Sequence, residues 1–447
     1  MAASEGGAVD AALADWMTRQ RWFSGKGGRP QLREVGSWTA RTGDSQVTAE
    51  VLLVEDGTAG TLYQVPLVRR AQGDGARSPI ADGDDRYDGP HEPEFAQALL
   101  ELLTRGGEAE GSAARAVGEP AGPSAGRYRS SRVLSGEQSN TSIIIETQDD
   151  SGADSTPLIV KLFRTLSPGD NPDVVLQTAI AGAGSDRVPR SYGALRGTWG
   201  DGATGHLAFA QEFLPGTQDA WRVATTAVDA DQDFTDAARR LGEATAEVHR
   251  VLSEALPTVE ADEERKAALL ASMRSRLAAA VEVVDGLEDR AADIDAVFEA
   301  AAAEPWPRLQ RVHGDYHLGQ VLHHPDRGWV LLDFEGEPLR PMEERSQPDL
   351  ALRDVAGMLR SFDYAAGASR ESHPGEEHAR LTERWAGDAR TAFLQGYEEA
   401  LGEPLAPHSR LLAALELDKA LYEAVYEARN RPDWLPIPAA AIARLAG

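Results

Sequence analysis

The chain has 447 residues, with 45 Lys and Arg against 72 Asp and Glu, a formal charge of −27, and no cysteine. That length allows about two or three domains with ample core; the absence of cysteine excludes disulfides and thiolate chemistry; and the acidic balance argues against a nucleic-acid partner, because phosphate backbones are bound by clustered Lys and Arg. The start MAASEGGAVDAALADWM lacks the basic residues and apolar run of a signal peptide, and no apolar run approaches the ~20 residues of a membrane span, so the expectation is a cytoplasmic protein with no membrane partner.

Residues 1–130 mix strand-like runs, QVTAEVLLVED and TLYQVPLVRR, with Gly/Asp-rich breaks. A helix is expected at EPEFAQALLELLTRGG, closed by its glycines. The stretch 106–127 is poor in large apolar residues and rich in Gly, Ala, Ser and Pro, and reads as a linker or long loop. Within 131–216, RVLSGEQSNTSIIIE reads as strand, polar turn and strand, PLIVKLF as a buried strand, and GHLAFAQEFLPG as a strand running into a Pro-Gly turn. Over 217–447 apolar residues recur at i, i+3, i+4 and i+7, as in DAARRLGEATAEVHRVLSEAL. The expected class is α+β. A domain at 1–130 precedes a β-rich part at 131–216 and a mostly helical part at 217–447, and the last two suggest lobes with a cleft between them.

The segment 312–338, VHGDYHLGQVLHHPDRGWVLLDFEGEP, sets acids among apolar strand-like runs. Read as a hairpin, it brings Asp315, Gln320 and Asp333 to one end of a strand pair. Phosphoryl transfer needs such a set: one carboxylate to orient the acceptor hydroxyl, and an amide with a second carboxylate to hold Mg²⁺. Gln320 stands five positions after Asp315, as Asn does in the protein-kinase signature, and Glu335 replaces the glycine of D-F-G. Upstream, Lys161 is the single charge inside LIVKLF, a costly placement unless it meets phosphate or carboxylate. The turn SGEQSNTS, with Ser139 and Asn140, offers backbone N–H groups to phosphates, and Gln211, Glu212 and Phe213 end a strand where an adenine edge would be read. Each feature has a plain alternative: acids that cap turns, a lysine on an edge strand facing water, an ordinary strand end.

Taken together, EQSNTS, KLFR, GDNPD, RVHGDYHLGQVL, DFEGEP, LRDVAGMLRSFDYAA and ELDKALYEAVYEARNRPDWLPIP resemble the actinobacterial maltokinase-like kinases, relatives of the aminoglycoside phosphotransferases. The opening WMTRQRWFSGKGG is similar to the start of that family's N-terminal cap domain. The resemblance implies a bilobal, eukaryotic-kinase-like fold with a cap domain and a helical C-terminal lobe, working with ATP and Mg²⁺. It makes Asp315 the catalytic base, Gln320 and Asp333 the metal ligands and Lys161 the α/β-phosphate ligand, with adenine beside Gln211–Phe213. The family's usual Glu after NPD is missing from NPDVVLQ, which leaves Asp173, or nothing, to pair with Lys161.

The acceptor is read from the C-terminal segment. On a helix Glu416, Lys419, Glu423 and Glu427 share one face, while Asp418, Tyr422 and Arg429 lie toward another. The plain alternative is a solvated face with Lys419–Glu423 pairs. With Trp434 to stack on a sugar ring, the acids of this segment, together with Asp315, Tyr316 and His317, make up the expected acceptor site. The family includes maltose kinases and a branch acting on glucosamine. Tyr316 stands where the maltose kinases usually carry Leu, and a ring there would narrow the pocket, which favours glucosamine, phosphorylated to glucosamine 6-phosphate. Maltose 1-phosphate formation is the alternative, and an inactive pseudokinase or sugar-sensing module is the alternative of another class. A monomer is the default oligomeric state.

Overall fold

The structure, a computed structural model, describes residues 7–25, 30–41, 47–70, 79–134, 139–337 and 340–447. Helix α1 (Ala11–Thr18) starts on Asp10, whose carboxylate accepts the Leu13 N–H. Strands β1 (Leu32–Arg41), β2 (Thr48–Asp56) and β3 (Thr61–Arg69) form an antiparallel meander, extended by β4 (Arg86–Asp88) on β3. Residues 51–54 of β2 are all buried because this sheet is covered on both faces. Leu52 and Val54 meet Leu13, Met17, Trp22 and Phe23. Val51 and Leu53 turn the other way, toward Phe95, Leu99 and Leu103 of α2 (Pro93–Arg105), which ends at Gly106 with φ 77°.

A seven-stranded antiparallel sheet follows, in the order β5-β6-β11-β12-β9-β8-β7. Its members are β5 (Gly107–Glu110), β6 (Ala114–Pro120), β7 (Arg127–Val133), β8 (Asn140–Gln148), β9 (Leu158–Phe163), β11 (Ser191–Trp199) and β12 (Ala203–Glu212). The short β10 (Thr165–Leu166) pairs instead with β3. Helix α3 spans Pro172–Gly182. One core joins Trp38, α2 and the inner residues Ile143, Ile145, Val160 and Phe209 of the larger sheet.

Two expectations fail here. The stretch 106–127 is no linker, since β5 and β6 occupy half of it, β5 pairing with β6 and β6 with β11. The expected boundary at residue 130 falls inside β7. The low apolar content misled because this edge is built for close approach: a Cβ on Gly118 would lie 1.8 Å from the Leu102 carbonyl oxygen of α2. The compact units are Met1–Gly182 with Pro189–Pro215, and Ala183–Val188 with Gly216–Gly447.

In the second unit β13 (Gln218–Asp219), β14 (Val321–His324) and β15 (Gly328–Leu331) form a small antiparallel sheet. The rest is helical: α4 (Ala220–Asp229), α5 (Thr235–Ala255), α6 (Glu263–Val281), α7 (Ala291–Ala302), α8 (Met342–Arg345), α9 (Leu352–Ser372), α10 (Glu376–Leu401), α11 (Ser409–Asn430) and α12 (Pro436–Leu445). Helices α5 and α10 cross backbone to backbone. A Cβ on Gly242 would stand 2.0 Å from the Phe393 carbonyl oxygen, and one on Gly396 would stand 2.0 Å from that of Arg239. Among the described residues no helix is long and apolar enough to cross a membrane.

Candidate active site

The candidate residues fall into two groups, one in each unit. In the first, Lys161 sits on β9, between β8 and β12 in the middle of the sheet, so the edge-strand alternative is excluded. Its ammonium lies 3.3 Å from the Asp173 carboxylate in the first turn of α3, and the two side chains are 16% and 1% exposed. Asp173 therefore takes the place of the missing Glu. It also accepts from Gln177 Nε2 at 2.5 Å, and Gln177 Oε1 accepts from Gln211 Nε2 at 2.6 Å. A chain of hydrogen bonds thus joins the lysine to the strand end read as the adenine site.

At that strand end the Glu212 N–H is taken by the Arg190 carbonyl, at 2.8 Å, and the Phe213 N–H by that of Pro157, also at 2.8 Å. These two amides are committed within the fold, so an adenine at this strand end would be read by its other backbone groups. Ser139 is exposed and Asn140 opens β8, while the turn residues 135–138 lie outside the described residues.

The second group surrounds the hairpin of β14 and β15. The loop before it is clamped by Asp354 of α9, which accepts the His313 N–H at 2.8 Å and the Gly314 N–H at 2.9 Å. His249 Nε2 stands 3.0 Å from the same carboxylate, and His249 Nδ1 stands 2.9 Å from the Tyr397 hydroxyl. Burial favours the neutral acid at Asp354, but His249 and the loop contacts prevail and pull its pKa below the ordinary carboxylate value. The loop rests directly on α9, because a Cβ on Gly357 would lie 2.5 Å from the Tyr316 carbonyl oxygen. His313 is buried and hydrogen-bonds the Leu332 carbonyl through Nε2 at 2.8 Å.

This clamp presents Asp315, whose carboxylate lies 3.5 Å from Lys419 Nζ of α11. Lys419 also meets Glu337 at 3.0 Å. Burial works against the lysine's charge, yet Glu337, Asp315 and Glu423 outweigh it and push its pKa up. Burial likewise opposes the ionised Glu337, but Lys419 and Arg340 hold it down at about 2. Gln320 Nε2 donates to Asp333 at 3.2 Å, which brings the two expected metal ligands together. Asp333 lies past the end of β15 with φ 61°, a left-handed conformation that is costly for a residue with a Cβ and is held here by its surroundings.

A cavity of about 460 Å³ in this unit is lined by Trp221, His317, Gly357, Ser361, Tyr364, Lys419, Glu423, Arg431 and Trp434. His317 Nδ1 accepts the Gly319 N–H at 3.0 Å, and burial lowers the ring's pKa, so the neutral ring carries its proton on Nε2. Glu423 is bonded to Arg360 Nε at 2.8 Å, while burial raises its pKa. Glu427 is buried behind the wall, where it accepts from the Tyr364 hydroxyl at 3.0 Å and from Arg431 at 2.6 Å. Trp434 stacks on Tyr364, with ring centroids 6.1 Å apart, and Arg431 lies 4.7 Å from its ring.

Several residues expected to face the acceptor are placed elsewhere. Tyr316 is buried and its hydroxyl bonds Thr245 at 2.9 Å, so its ring fills core and does not narrow the cavity. Glu416 is buried against Arg390 and Arg444, at 2.9 and 2.8 Å. Asp418 is buried against Arg276 and Arg353. Tyr422 lies outside the lining, with Lys419 Nζ 5.3 Å from its ring centroid. Sequence reasoning passed over Asp354, Ser361, Tyr364, Arg431 and Trp221, and set Lys419 on a helix face without giving it a role in the site. Asp354, a lone acid in the apolar helix LRDVAGM, carried a signal. Lys419 carried none toward Asp315, from which it is 104 positions distant in sequence.

A profile of the maltokinase N-terminal cap domain matches residues 16–92, and a profile of the phosphotransferase enzyme family matches residues 130–408. A glucosamine kinase of Streptacidiphilus jiangxiensis is 29% identical over 398 residues, covering 84% of this chain and 84% of its own. One of Mycolicibacterium smegmatis is 29% identical over 343 residues, covering 71% and 80%. A solved glucosamine kinase, crystal form B, matches with TM-score 0.73 at 25% identity over 99% of each chain. Another, in complex with glucosamine, ADP and inorganic phosphate, matches with TM-score 0.70 at 23% identity, covering 98% of this chain and 100% of its own. The α+β, aminoglycoside-phosphotransferase-like fold and the cap domain expected from the sequence are those found.

Proposed function

We propose that this chain, which belongs to the phosphotransferase enzyme family, transfers the γ-phosphate of ATP to a hydroxyl of a small sugar, with glucosamine as the acceptor. The observation that carries this reading is the cavity of the second unit. Aromatic faces at Trp434, Tyr364 and Trp221 stand with hydrogen-bonding groups at Ser361, His317, Lys419, Glu423 and Arg431, the combination that holds a sugar ring by its faces and its hydroxyls.

In this reading Asp315 accepts the proton of the acceptor hydroxyl as its oxygen bonds to phosphorus, and the bond from phosphorus to the β–γ bridging oxygen breaks to release ADP. Lys419, 3.5 Å away, keeps the Asp315 carboxylate beside a positive charge and orients it. Lys161 neutralises phosphate charge, with Asp173 holding its ammonium in place. Gln320 and Asp333 offer an amide oxygen and a carboxylate, hard donors that suit Mg²⁺, so these two residues would hold the ion. When bound, it supplies positive charge against the phosphates.

Glucosamine is favoured by the relatives named above and by Glu423 at the cavity wall. Tyr316 has no bearing on the acceptor, because its side chain faces core. The test is a panel of glucosamine, glucose, maltose and an aminoglycoside with ATP and Mg²⁺. Glucosamine should exceed glucose in kcat/KM by about ten- to a hundredfold, the scale of one charge-assisted hydrogen bond to the ammonium. Faster turnover of maltose would replace the acceptor and keep the kinase. No ATP turnover with any sugar would return the chain to the pseudokinase reading.

A further inference from the structure

We propose that His206 is a positioning residue for the phosphate-handling lysine: its imidazole receives the Asn171 amide, fixes the first turn of α3, and thereby sets the Asp173 carboxylate against Lys161. The proposal rests on the role given to Lys161 above.

Asn171 and Pro172 begin α3. Pro172 has no N–H to satisfy, the Asn171 carbonyl accepts from Val175 at 3.1 Å, and its side-chain oxygen accepts the Asp173 N–H at 2.9 Å. The Asn171 N–H points out of this turn. That amide donates to His206 Nδ1 of β12 at 3.0 Å, and His206 is 5% exposed. The two residues before it are moored to the same strands. The Gly169 N–H donates to the Thr204 carbonyl at 2.8 Å, and Asp170 meets Arg196 of β11 at 2.9 Å. The chain leading to α3 lies flat on β12, since a Cβ on Gly205 would stand 2.5 Å from the Ser167 carbonyl oxygen. Three consecutive contacts therefore hold the start of α3, and two residues further on Asp173 reaches Lys161 at 3.3 Å.

The proton count makes the contact depend on a neutral ring. Nδ1 accepts from the Asn171 amide, so the single proton sits on Nε2; Glu119 Oε2 lies 4.0 Å from that nitrogen, while Arg196 Nη2, 3.2 Å away, can only donate and makes no hydrogen bond to it. A second proton would go onto Nδ1, where the amide already points. Burial, and then the Arg196 charge, outweigh Asp170 and Glu119 and lower the His206 pKa to about 4, which keeps the ring neutral at ordinary pH.

The experiment compares His206→Leu with His206→Asn in the full chain, varying ATP and glucosamine separately. An asparagine oxygen takes the place of Nδ1 as acceptor and cannot become a cation. His206→Leu should raise KM for ATP about tenfold, the scale of one lost buried hydrogen bond, with KM for glucosamine unchanged, and His206→Asn should restore KM for ATP to within about twofold. In ¹⁵N spectra of the wild type the His206 ring should show an unprotonated Nδ1 and a protonated Nε2, a readout that stands even if His206→Leu does not fold. A protonated Nδ1 overturns the proposal. So does an unchanged KM for ATP in folded His206→Leu, or an equal rise of both KM values in both variants. Wild-type protein that neither binds nor turns over ATP overturns the phosphotransferase reading as well, which separates the two failures.

Discussion

Asp315 and Asn differ by little in shape, but only the carboxylate can take a proton. Asp315→Asn should therefore lower kcat by about 10²–10⁴-fold, the range for loss of a general base, while ATP affinity and melting temperature hold. Retention of more than about a tenth of wild-type kcat would remove Asp315 from that role. Glu337 makes a different kind of prediction. Its pKa is depressed from 4.5 to about 2, so the stability it contributes is present above about 4.5 and is lost as pH falls toward 2. Glu337→Gln should be less stable than wild type at neutral pH, with the gap in urea midpoint closing across that window. A gap that stays constant as pH falls would show that Glu337 is not held ionised by Lys419 and Arg340. At this scale the sequence showed which residue types carry chemistry and missed their partners. Asp315, Gln320 and Asp333 stood out as acids and an amide among apolar runs, whereas Lys419 is brought to Asp315 from a helix 104 positions away.

Helices of the second unit were legible because burying one face imposes a 3.6-residue period on the apolar positions. The edge strand β5 and its neighbour β6 were not, because Gly and Ala are used there to bring backbones together, and small residues leave no hydrophobic pattern. Glycine position gives a paired prediction. Gly242→Ala puts a Cβ 2.0 Å from the Phe393 carbonyl oxygen and should destabilise the fold by about 1–3 kcal/mol. Gly387→Ala, in α10 with nothing within 4 Å of its added Cβ, should stabilise by up to about 1 kcal/mol. Chemical denaturation of the two variants checks this, and the same sign in both would mean that the close crossing of α5 and α10 is not what Gly242 serves.

For the whole molecule, a formal charge of −27 means that long-range repulsion works against the folded state. Salt screens charges more than about 10 Å apart far better than it screens buried pairs such as Arg360–Glu423. Melting temperature should accordingly rise on going from low to moderate NaCl, and a fall would mean that local ion pairs dominate. The sequence by itself determined the α+β class, the phosphotransferase motifs and the order in which they occur, because these depend on local periodicity and on the spacing of chemical groups along the chain. The tertiary structure decided which acids of α11 serve the cavity. Glu423 lines it, while Glu416 and Asp418 of the same helix are turned into ion pairs, and Tyr316, beside Asp315, is turned into core. It also decided that Asp173 pairs with Lys161. The reason is physical: the direction a side chain faces, and the partner that neutralises its charge, are set by elements far away in sequence.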